Sequence, residues 1–90
     1  MSEGQKIIED TVHKLMKDDR HRALHIGTLG NGEGEMIKII DMNAYRHYGR
    51  DTCLFKTRVE GNPEEVRRQV QMEVKQLQEE YGSKITSDYD

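Results

Sequence analysis

The stretch from Cys53 to Tyr81 limits the fold more than any other part of the chain. Cys53-Leu-Phe-Lys-Thr-Arg-Val-Glu60 alternates, with Cys53, Phe55, Thr57 and Val59 on one face and Leu54, Lys56, Arg58 and Glu60 on the other. Period-two alternation rich in β-branched and aromatic residues predicts a strand with one buried face. Gly61-Asn62-Pro63-Glu64-Glu65 follows. Asn62 is placed to accept from the orphan amides of a first helical turn, and Glu65 to complete a capping box. Pro63 suits the first helical position because it has no amide to leave unsatisfied. Val66, Val70, Val74, Leu77 and Tyr81 then recur as one apolar helical stripe, and Gly82 follows where a left-handed cap is favoured.

The remaining residues must cover the apolar side of this unit. At 90 residues, 33% apolar and 34% charged, with no Trp and one Phe, the chain has material for one modest aliphatic and methionine-rich core. A core this small favours self-association, so a homodimer is expected. The net charge of −3 argues against a surface that coats nucleic acid wholesale, and leaves room for a local basic patch. One cysteine excludes an internal disulfide framework. No leader-like or membrane-spanning apolar run is present, so the expectation is a soluble cytoplasmic protein without a membrane role. Cys53, on the inward face of its strand, is expected to be a buried, inert thiol.

Ahead of the central unit, Ile8, Val12, Leu15 and Asp19, widened by Ile7 and Met16, predict a helix from about Glu3 to Asp19, started by Ser2 or Gly4. Ala23 to Leu29 reads as a strand. Gly30-Asn31-Gly32-Glu33-Gly34 is a hairpin signal, and Glu35 to Met42 is the returning strand. In that strand Met36, Ile40 and Met42 share a face with Lys38, while Ile37 and Ile39 take the other. Apolar residues on both faces predict a central strand, or a sheet whose second face meets a partner. The fold class is α+β, in the order α-β-β-β-α, with a three-stranded antiparallel sheet and both helices on one face. Residues 1–82 form a single domain, and 83–90 a flexible acidic tail.

Few residues carry chemistry. The glycine-rich tip lacks the Gly-Lys-Ser/Thr ending of a phosphate loop, opens into a strand, and carries Glu33 and Glu35, which repel phosphate. Four histidines suggest a small metal-dependent enzyme or sensor. His21 and His25 stand four apart, but across a helix exit and a strand entry, and no Cys-x-x-Cys or His-Glu-x-x-His pattern reinforces them. No nucleophile elbow or cofactor fingerprint is present. We therefore expect a non-catalytic module with no cofactor and no metal.

The candidate site is the loop and strand formed by Tyr45, Arg46, His47, Tyr48, Arg50, Lys56 and Arg58. Between residues 46 and 58 the local net charge is +3 in a chain that is negative overall. Arginines offer forked donors to carboxylate or phosphate, and tyrosines offer flat faces for anchoring or stacking. The primary expectation is contact with another protein through this basic aromatic surface. Nucleic-acid binding by the same residues is the alternative.

Overall fold

A computed structural model describes residues 2–19, 22–30, 34–43 and 53–89. Helix α1 spans Glu3–Asp18; strands β1, β2 and β3 span Leu24–Gly30, Gly34–Asp41 and Cys53–Glu60. Helix α2 spans Pro63–Tyr81, and a 3-10 turn, Gly82–Lys84, leads into β4, Ile85–Ser87. The α+β class holds, and the sheet is larger than expected. It has four strands in the order β3-β2-β1-β4, antiparallel at β3–β2 and β2–β1 but parallel at β1–β4. The three-stranded antiparallel sheet is thus corrected to a four-stranded mixed one.

The added strand comes from the segment read as a tail. Ile85 and Ser87 are buried against the core while Thr86 faces outward, an alternation only three residues long. Such a run is too short for its period to be read from sequence. Leu24, His25 and Ile26 pair with Ile85, Thr86 and Ser87. Helix α2 therefore carries the chain from the β3 edge across the sheet to a strand beyond β1.

Both helices begin on side-chain caps. The Ser2 hydroxyl accepts from the Gln5 amide at 3.3 Å while the Gln5 side chain accepts from the Ser2 amide at 3.0 Å, a complete capping box. In α2 the Asn62 side chain accepts from the Glu64 and Glu65 amides. The Glu65 carboxylate turns to Arg68, at 2.8 Å, and to Gln69, so the expected reciprocal bond to Asn62 gives way to a pair along the helix. Gly82 closes α2 at φ +64°, where a side chain would be strained.

One core joins the layers. Ile8, Val12 and Met16 from α1 and Val66, Val70, Val74 and Leu77 from α2 meet Leu24, Ile26, Ile37, Ile39 and Ile85 from the strands. The inward stripe of α1 runs Gly4, Ile8, Val12, Met16, with Leu15 at its margin. Gly4 lets the helix approach the sheet closely: a Cβ there would lie 3.4 Å from a Val59 methyl.

Two carboxylates are buried with the apolar side chains. Glu35, 1% exposed, has the Arg67 Nε 3.2 Å from its Oε1, too poorly aligned for a hydrogen bond, and that Nε also donates to the Pro63 carbonyl. The contact is therefore mainly coulombic. Glu73 on α2, also 1% exposed, faces Glu9 and His13 of α1. Desolvation first, and then the charge and hydrogen bond of Glu9, push its carboxyl above the usual range; His13 pulls weakly the other way.

Cys53 departs from expectation. The β2–β3 register runs Ile37↔Thr57 and Ile39↔Phe55, then shifts so that Ile40 faces Cys53. Leu54 is the extra residue of this bulge, and it packs against the core. A one-residue shift reverses side-chain facing, so Cys53 is exposed on the outer side.

Candidate functional site

The sheet has one face toward α1 and α2 and an opposite, outer face. Alternation decides which residues lie outward. They are His25, Gly27 and Leu29 from β1, Met36, Lys38 and Ile40 from β2, and Lys56 and Arg58 from β3. Leu29 is 67% exposed, the most exposed large apolar residue among those described. Met36 and Met42 are half-buried, and Ile40 is nearly buried between its neighbours.

Three rows cross this face. Arg58, Met36 and Leu29 form the first; Lys56, Lys38 and Gly27 the second; Cys53, Ile40 and His25 the third. Lys38 lies directly opposite Lys56, so two basic side chains stand side by side on this face. The β3 flank is thus basic and the middle apolar.

The β4 flank is polar and acidic. The His25 Nδ1 lies 2.8 Å from the Thr86 hydroxyl, and its Nε2 lies 2.8 Å from the Asp88 Oδ1. Since the Asp88 carboxylate only accepts, Nε2 donates to it. Asp88 Oδ2 accepts from the Thr28 amide at 3.2 Å. It also lies over Gly27, where a Cβ would sit 2.8 Å from that oxygen. On the opposite side of β1 the Tyr89 hydroxyl meets the Thr28 hydroxyl at 2.6 Å. Burial pushes the Tyr89 phenol above its ordinary range. Asp88 and Tyr89 therefore straddle β1 and hold β4 in place.

Because Gly27 has no side chain, a hollow of about 390 Å³ opens on this face. His25, Leu29, Lys38, Ile40, Met42 and Asp88 surround it. Its walls are largely apolar, with one basic and one acidic group at the rim.

Lys56 and Arg58 lie on the outer face as expected from alternation, both exposed. Tyr45, Arg46, His47, Tyr48 and Arg50 lie outside the described residues. Lys38, Leu29, Gly27 and Asp88 were not singled out from sequence, and His25 was weighed there only with His21 as a metal ligand. Lys38 carried a signal, as the one charge on the apolar outer side of its strand. Asp88 carried none, since its role depends on β4. Among the described residues no group of three or more His, Cys, Asp or Glu side chains is arranged to hold a metal ion. Among them, no helix is long and apolar enough to cross a membrane. No family model, curated protein or solved structure matches the chain.

Proposed function

We propose that the protein is a non-catalytic binding module that uses the outer face of its sheet, opposite α1 and α2, to hold another protein chain. The observation that carries this reading is the pairing of an exposed apolar centre, Leu29 with Met36 and Met42, with a basic flank of Lys38, Lys56 and Arg58. Apolar area supplies the affinity of such a contact, and the charged rim supplies orientation and partner choice. Tyr45, Arg46, His47, Tyr48 and Arg50, which stand between β2 and β3 in sequence, belong to the same proposed contact. An accessible Cys53 thiol suits a reducing compartment such as the cytoplasm.

The test is capture on immobilised full-length protein. Leu29→Glu replaces an exposed side chain and is expected to leave Tm nearly unchanged while weakening retention of the partner at least about tenfold, the loss of one good anchor. Retention unaltered by Leu29→Glu, and by Lys56→Glu with Arg58→Glu, would refute the reading.

The Lys38–Lys56 opposition also favours a second reading, an anionic nucleic-acid strand laid along β3. Its affinity would fall steeply between low and physiological salt because phosphate contacts release counterions. An apolar protein contact would change little.

A further inference from the structure

We infer that the chain seated on the outer face of the sheet is a second copy of this one. The two sheets would stack about a two-fold axis that runs along the strands, between β1 and β2. This names the partner for the reading above and rests on it.

Two identical sheets stacked with aligned strands can be related by a two-fold across the strands or along them. An axis across the strands lays β3 over β3 and sets the two basic flanks together. An axis along the strands exchanges the edges, so β3 of one copy lies over β4 of the other, and β2 over β1. The charges of this face suit only the second arrangement.

The register makes the match specific. The middle row reads Lys56, Lys38, Gly27, with the Asp88 carboxylate lying over Gly27. Reversed in the opposing sheet, it places Lys56 against the partner's Asp88 and Lys38 against the partner's Gly27, each twice. The long Lys38 side chain then meets the hollow that the glycine leaves. In the row of Arg58, Met36 and Leu29, Met36 meets the partner's Leu29, which covers the most exposed apolar side chain of the face. In the row of Cys53, Ile40, His25 and Thr86, Ile40 meets the partner's His25 and Cys53 the partner's Thr86. The Lys56 pairings join opposite charges, and each Lys38 enters a hollow whose rim carries the partner's Asp88 beside the partner's Lys38, so a carboxylate stands with the two ammonium groups at the axis.

Three strands of seven or eight residues, about 4.8 Å apart, with the three-residue β4 at one edge, present a face of at most roughly 19 by 23 Å. That is a small interface, so exchange at micromolar concentration is expected.

The test is light scattering on the full chain from about 10 to 500 μM, a range centred on micromolar association. The expected result is a monomer–dimer equilibrium that Leu29→Glu shifts at least about tenfold toward monomer. Thr86→Cys then fixes the geometry. Within one chain, positions 53 and 86 lie on opposite edges, about 14 Å apart and beyond disulfide reach. Facing Cα atoms of stacked sheets stand about 10 Å apart, also too far for a direct disulfide, so a short bismaleimide, too short for the spacing within one chain, should link Cys53 of one copy to the introduced thiol of the other. A wild-type dimer linked only through Cys53 to Cys53 would overturn the axis. A chain that stays monomeric throughout would overturn the second copy. If that monomer still captures a chain that Leu29→Glu loses, the broader binding reading stands; if it captures none, both fall.

Discussion

Glu73 shows how one residue can oppose the fold it sits in. Its carboxyl is buried in the α1–α2 seam beside Glu9, and both burial and that neighbour favour the protonated form. Because its folded value lies above the ordinary 4.5, the folded chain binds the proton more tightly than the unfolded chain. The resulting stability is complete below the ordinary carboxylate range and is lost as pH rises through the raised value. Glu73→Gln keeps the shape without the charge. It is expected to raise Tm at neutral and alkaline pH and to flatten the fall in stability above the ordinary carboxylate range, as thermal melts across pH would measure. Glu73 stands three residues after Val70 and four before Leu77, inside the inward stripe of α2, so the helical period marks it as buried and only its charge argues against that. Pattern and packing part at Cys53, where a single extra residue at Leu54 reverses the facing that alternation implies.

At the scale of elements, β4 is the piece that sequence reasoning missed. Ile85 is buried in the core, yet its neighbours Lys84, Thr86 and Ser87 are those of a solvated tail. Ile85→Ala is expected to cost about 3 kcal/mol, the usual range for truncating a buried isoleucine. Denaturant titration would measure that loss; Lys84→Ala, at an exposed position, should change stability little. The longer elements were legible for physical reasons. Strand β3 and helix α2 match the expected Cys53–Glu60 and Pro63–Tyr81 because alternation, Asn62, Pro63 and Gly82 all mark them. Strands β1 and β2 differ from expectation by one residue at their ends, because the apolar pattern and the glycine-rich tip agree. The candidate site was legible only where alternation reached it, at Lys56 and Arg58. His25 and Asp88 are more than sixty residues apart and meet only because α2 carries the chain across the sheet.

For the whole molecule, the two sides of the sheet differ in kind. One carries both helices and the core; the other carries a basic flank, an apolar centre and an acidic flank in sequence across the strands. In the proposed pairing a second chain would cover the apolar part of that second side. The most direct measurement is a methyl NMR spectrum of the full chain over a concentration series. The account predicts that the Leu29, Met36, Ile40 and Met42 methyl signals move together along one saturating curve while those of Ile8, Ile26 and Ile37 stay fixed. Movement of Met72, the exposed methionine on α2, with the four sheet-face residues unmoved, would contradict it and place the contact on the helices.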